Sequence, residues 1–170
     1  MKKVAVLIED YYEVLEAWYP YLRLREAGFE TTFVGPGSNK EYHSKEGYPA
    51  PEEAKVRDVT EKQFDAVVIP GGIAPDRMRR HPGMNQFVRK MADSGKLIAA
   101  ICHAGSVLVS AGVLHDRKVT SFFSIKDDVV NAGAQFEDKE VVVDGNLITS
   151  RNPNDLPAFC REIINWLESH

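Results

Sequence analysis

The sequence predicts a single α/β domain over residues 1–170, a three-layer sandwich whose mostly parallel central sheet carries helices on both faces, and three observations support this. Short β-rich runs alternate with helical stretches from Val4 to Ile69, the order expected when each strand is followed by a crossover helix. The first run, Val4-Ala5-Val6-Leu7-Ile8, is apolar throughout instead of alternating, as a strand covered on both sides must be. A length of 170 residues with 44% hydrophobic content suffices for one core that buries well over half of the unfolded surface.

Taken in order, Val4 to Ile8 is the expected middle strand, and a helix follows from about Glu13 to Ala27. Gly28 reads as its C-cap, and Glu30 to Val34 returns to a strand, completing the first βαβ unit. Residues 35–57, with Gly35-Pro36-Gly37-Ser38, Gly47 and Pro49-Ala50-Pro51, read as an irregular excursion carrying a small hairpin. Ala66 to Ile69 is a buried strand running through Pro70 into Gly71-Gly72, and a helix covers about Gly83 to Ser94 until Gly95 stops it. Leu97 to Ile101 is another apolar strand; beyond Cys102-His103-Ala104-Gly105 a helix runs from Ser106 to Ala111 and ends at Gly112. Val119-Thr120-Ser121, Val141-Val142-Val143 and Leu147-Ile148-Thr149-Ser150 supply further strands, the last two joined by the hairpin turn Asp144-Gly145-Asn146. Leu156 to Glu168 is the closing amphipathic helix, with Pro157 in its first turn and Phe159, Ile163, Ile164 and Leu167 on its apolar face.

A net charge of -4, from 21 basic and 25 acidic residues, gives no electrostatic reason to expect nucleic acid or an anionic membrane as partner. The apolar run after Met1-Lys2-Lys3 soon meets Glu9 and Asp10, which is too short for a signal peptide or a membrane span, so a cytosolic chain is expected. Cys102 and Cys160 make no disulfide framework. His43, His81, His103, His115 and His170 stand apart without metal-ligand spacing, so neither a metal nor a cofactor is expected.

Cys102 lies where an apolar strand turns sharply into a helix, with Ala100, Ala104 and Gly105 leaving room for the turn. An isolated Cys-His pair is more often a small buried hydrophobe beside a helix-start residue, but at such a corner backbone N–H groups point toward the sulfur, making a nucleophile the leading reading. Helix-start amides favour thiolate, so a depressed thiol pKa is expected. In doubly wound sheets ligands bind beyond the carboxyl ends of the strands. Glu9 to Glu16, Gly71-Gly72 and Cys102-His103 all fall at such ends. Glu13 or Glu16 could supply the carboxyl that manages the thiol proton, although acids near a helix start are favourable without any further role. Backbone N–H groups of the Gly71-Gly72 turn and His103 are candidate oxyanion donors. Neighbours at a sharp corner usually point apart, so His103 acts as base only in an unusual rotamer and with an orienting carboxylate, for which Asp76 is a candidate. Asp76 is also placed as a helix cap would be, and Cys160, on the closing helix, reads as packing.

Together these segments resemble the PfpI-type intracellular proteases of the class I glutamine amidotransferase-like superfamily, which also holds the parkinsonism-linked deglycase and glyoxalase-like proteins. The resemblance spans essentially the whole chain. Its residues are Tyr12-Glu13-Val14-Leu15-Glu16, Tyr19-Pro20-Tyr21, Phe64-Asp65-Ala66, Ile69-Pro70-Gly71-Gly72, Ala74-Pro75-Asp76, Ile101-Cys102-His103, Ser110 to Leu114, Ile125 to Asp128, Asn131-Ala132-Gly133 and Thr149-Ser150-Arg151. It implies a flavodoxin-like sandwich, a Cys102 nucleophile, Glu16 hydrogen-bonded to the sulfur, Glu13 as a second acidic position and His103 in the family's histidine place. Asp76 falls where these proteins carry an acidic residue, commonly glutamate, that reaches the histidine of an adjacent subunit. A homo-oligomer, dimer, trimer or hexamer, is therefore implied. Ala104 stands where the family often has glycine, and Asp76 is one methylene shorter than glutamate.

The first function implied is that of a cysteine hydrolase of peptide or other amide bonds, in which Cys102 forms an acyl-enzyme and His103 is the base for water. Small peptides or small carbonyl compounds are its expected substrates. An alternative is glyoxalase or deglycase chemistry, with Cys102 adding to an α-oxoaldehyde or a glycated amine while Glu16 shuttles the proton. A third, non-enzymatic alternative is a redox-responsive stress protein whose Cys102 oxidises to a sulfinate held by Glu16.

Overall fold

A computed structural model describes residues 1–170. β1 (Lys3–Leu7) leads through α1 (Val14–Glu26) to β2 (Glu30–Gly35), and the excursion after it holds β3 (Glu41–His43), β4 (Pro49–Pro51) and β5 (Ala54–Lys55). β6 (Ala66–Ile69), α2 (Ala74–Met78), α3 (Pro82–Asp93), β7 (Leu97–Ile101) and α4 (Gly105–Ala111) follow. The remainder comprises β8 (Lys118–Val119), α5 (Lys126–Asn131), β9 (Gln135–Phe136), β10 (Val142–Asp144), β11 (Leu147–Ser150) and α6 (Leu156–Ser169).

Seven strands form the central sheet in the order β10-β11-β7-β6-β1-β2-β5. All neighbours are parallel except the β10–β11 hairpin, whose turn places Gly145 at φ 58°. β1 is paired on both edges, with Val4 opposite Thr31 on one side and Ala66 on the other. Val4 to Leu7 are fully buried, which is why the run tolerates no polar alternation. The chain winds from β1 to β2 in one direction and from β6 through β7 to β11 in the other. Right-handed crossovers therefore put α1 and α6 on one face and α3 with α4 on the opposite face. The same reversal opens a crevice beyond the ends of β1 and β6.

Under α1 the aromatic packing is dense: Tyr21 and Phe33 stack with centroids 4.1 Å apart, and Trp18 meets Phe33 edge-on at 5.0 Å. Phe33→Ala is expected to cost about 3–5 kcal/mol in urea unfolding, since the rigid sheet and α1 cannot close the cavity left. A loss below about 1 kcal/mol would contradict this packing.

Two strand expectations are revised. Of Val119-Thr120-Ser121 only Val119 is in a strand, and that strand pairs with β9 outside the central sheet. The outer edge of β11 is already occupied by β10, so Thr120 N–H donates instead to Thr149 Oγ1 at 2.9 Å. Within the excursion, β3 and β4 form the expected hairpin, but Ala54 then pairs in parallel with Val34 and adds an edge strand that two residues do not announce. The short helices α2 and α5 are likewise below the length at which a helical period is readable.

Candidate active site

Three loops close around the crevice because their backbones bond to one another. Glu13 N–H donates to Gly71 O (3.1 Å), Ile73 N–H to Tyr11 O (2.9 Å), and Tyr11 N–H to His43 O (2.7 Å). Lys45 N–H donates to Tyr12 O (3.1 Å), so the β3–β4 hairpin becomes a wall of the site. Gly72 makes the tightest crossing: its φ is +80°, and a Cβ there would lie 2.6 Å from both Glu13 N and Tyr11 O.

Cys102 follows β7 with φ 62° and opens a 3-10 turn, Cys102–Ala104, before α4 begins. A left-handed conformation in a residue with a Cβ costs about 1–2 kcal/mol and persists only where the surroundings impose it. Here Phe122 N–H holds Cys102 O (3.1 Å), and Gly105 admits Ile125 and Val129 where a Cβ would stand 3.0 and 3.1 Å from them. The sulfur-bearing residue is only 7% exposed, yet it lines a cavity of about 550 Å³. It is thus shielded but reachable, not walled in by aliphatic groups.

Glu16 is fully buried on the first turn of α1. Its Oε2 accepts the Gly71 N–H at 2.7 Å, its Oε1 has no hydrogen-bond partner, and the carboxyl lies beside Cys102. Burial, with the Glu13 charge adding, raises its pKa to about 7 against the opposing pull of the Gly71 amide, Cys102 and Lys45. Burial is also the largest influence on the sulfur and pushes the Cys102 thiol up to about 12, with the Glu16 carboxylate next. The His103 and Gly72 amides pull the other way. The expected depressed thiol is therefore corrected: amides do point at the sulfur, but desolvation and a neighbouring carboxylate outweigh them. Thiol and carboxyl compete for one negative charge, and near neutral pH the carboxyl is the group that exchanges its proton.

His103 does not point away from its neighbour. Its Nδ1 lies 3.2 Å from Cys102 Sγ, its Nε2 lies 3.2 Å from Ser124 Oγ, and its ring stacks on Phe122 with centroids 4.7 Å apart. Burial lowers its pKa, with the Lys45 charge adding to the effect, and both favour the neutral imidazole beside the sulfur. Asp76 lines the same cavity from the first turn of α2, but its carboxylate pairs with Arg80 one helical turn on. Within the chain it does not orient His103. Glu13 is the N-cap of α1, accepting the Glu16 N–H at 2.9 Å, and bears on Glu16 through charge without bonding the sulfur. Gly71 cannot serve as an oxyanion donor, because its N–H is committed to Glu16; Gly72 and His103 retain amides directed at the sulfur. Cys160 is buried on α6 away from the cavity lining.

The cavity is completed by Lys45, Ile73, Arg79, Ser106, Phe122, Ile125, Asn152 and Pro153. Apart from Ile125, none of these belongs to a stretch singled out from the sequence, and all but Ser106 come from connections or short helices whose approach depends on long-range folding. No group of three or more His, Cys, Asp or Glu side chains is arranged to hold a metal ion, and no helix is long and apolar enough to cross a membrane.

The same architecture recurs in known proteins. The chain is 42% identical over 166 residues to "Deglycase PfpI" of Pyrococcus furiosus, covering 98% of this chain and 99% of that one. It is 42% identical over 168 residues to "Protein/nucleic acid deglycase 2" of Escherichia coli, covering 98% of each. Among solved structures, Drosophila melanogaster DJ-1beta superposes with a TM-score of 0.91 at 32% identity, over 98% of this chain and 90% of that one. With the DJ-1/PfpI family matching residues 2–166, strand-to-helix cysteine corner included, the chain belongs to that family.

Proposed function

We propose that the chain is an enzyme of small carbonyl compounds, adding Cys102 to an α-oxoaldehyde, or to its adduct on an amine, with Glu16 as the proton acceptor. The observation that carries this reading is the buried Glu16 carboxyl, set beside Cys102 and raised to about 7. A general base works best when its pKa lies near the working pH. As the S–C bond forms, the thiol proton passes to Glu16 and the carbonyl electron pair moves to oxygen, which is protonated to give a hemithioacetal. Amides of Gly72 and His103 stand close enough to the sulfur to steady that oxygen. For methylglyoxal, a proton shift from C1 to C2 then yields a thioester, and water releases Cys102 and lactate. Deglycase names among the relatives agree with this class of chemistry.

Amide hydrolysis is the second reading, favoured by His103 Nδ1 at 3.2 Å from the sulfur. It needs a carboxylate near His103, and Asp76 of a second copy in a homo-oligomer is the candidate. The test uses the purified chain with methylglyoxal. Consumption is expected to fall by about 10²-fold or more in Cys102→Ser and Glu16→Gln and to survive in Asp76→Asn. The wild-type rate is expected to rise with pH through about 7 as Glu16 ionises. Methylglyoxal left untouched, with a peptidase activity that Asp76→Asn abolishes, would instead establish the hydrolase.

A further inference from the structure

Two cations line the cavity, and neither is needed by the addition step. Lys45 reaches it from the β3–β4 hairpin and Arg79 from the end of α2, so they belong to different elements. Arg79 is held by its stem, Nε donating to Ser110 Oγ at 2.8 Å, which leaves both terminal nitrogens unbonded. Neither residue is in a salt bridge, whereas the adjacent Arg80 is held by Asp76. Of the acids in the cavity, Asp76 is paired with Arg80, Glu13 accepts the Glu16 amide and Glu16 accepts the Gly71 N–H. Arg79 is half-buried and Lys45 exposed, and a cavity with two free cationic donors is matched to an anion, since charge-assisted hydrogen bonds are the stronger kind.

We infer that Lys45 and Arg79 make the site selective for carbonyl compounds that carry an anionic group, a carboxylate or a phosphate, beside or near the reacting carbon. The inference rests on the aldehyde reading above and adds the substrate class to it. Cys102 would add to the aldehyde carbon while the anion lies toward the two cations.

The experiment follows protection of Cys102 from iodoacetamide in the full chain, read by mass spectrometry, so that no turnover is required. Glyoxylate and glyceraldehyde 3-phosphate are compared with their uncharged counterparts, glycolaldehyde and glyceraldehyde. Half-protection by a charged aldehyde is expected at a concentration about tenfold lower than by its uncharged partner. That preference is expected to fall to within about twofold in Lys45→Gln or Arg79→Gln and to return in Lys45→Arg. Whichever charged compound shows the larger preference identifies carboxylate or phosphate as the group. Equal protection by charged and uncharged aldehydes, or a preference that survives in both glutamine variants, overturns the selectivity alone. Protection by none of the four overturns the aldehyde reading and this inference with it.

Discussion

Glu16→Gln is expected to stabilise the folded chain at alkaline pH while nearly abolishing its reactivity. In the folded state Glu16 binds its proton at about 7, against an ordinary value of 4.5. A raised carboxyl pKa means that the folded state holds more protons than the unfolded one between those values. The resulting stability is fully present below about 4.5 and is lost as pH rises through about 7. Glutamine keeps an oxygen for the Gly71 N–H and carries no charge to desolvate, so its advantage is greatest above pH 7. Urea unfolding at pH 8 is expected to show Glu16→Gln more stable by about 1–3 kcal/mol, with the difference closing toward pH 5. Alkylation of Cys102 and methylglyoxal consumption are expected to drop by about 10²-fold or more, because the base for the thiol proton is gone. An equal stability difference at both pH values would show that Glu16 is already ionised at pH 5, its pKa not raised by the fold, and the proton-transfer scheme would fail.

Gly71→Ala is the second large effect, and its cause is contact, not backbone conformation. A Cβ at residue 71 would stand 2.5 Å from Glu16 Oε2, 2.7 Å from Cys102 Cβ and 3.1 Å from His103 N. Each neighbour is backbone or a buried side chain that cannot swing away. The carboxyl must leave the 2.7 Å Gly71 bond, or the strained corner at Cys102 must shift. A loss of about 2–4 kcal/mol in urea unfolding is expected, together with loss of measurable carbonyl chemistry. Gly28→Ala is the control: its φ of +93° strains any side chain, but nothing lies within 4 Å. It is expected to cost about 1–2 kcal/mol and to keep full activity. Equal activity in the two variants would show that the packing of Gly71 against the carboxyl does not matter.

Features that depend on near neighbours in the chain were legible from residues alone. Gly28, Gly95 and Gly112 end helices with φ of +93°, +69° and +68°, as their place after apolar periodic segments implies. The all-apolar runs at Val4, Ala66 and Leu97 mark interior strands, and the Gly-Gly and Cys-His pairs mark the turns after the last two of these. The orientation of His103 was not legible, because Phe122 and Ser124 fix it from a segment about twenty residues away. Lys45 and Arg79 gave no signal either: an isolated cation in a loop looks the same whether it meets water or a cavity. Asp76 shows the limit most clearly, since a partner four residues on, Arg80, takes the carboxylate within the chain.

The sequence by itself determined the layered α/β frame and the position of a thiol at its sharpest corner, because strand and helix periods and glycine stops are set by local sterics and burial pattern. Only the tertiary structure decided the proton balance between that thiol and Glu16. Desolvation depends on everything packed around a group, and here it outweighed the amides that the local turn supplies.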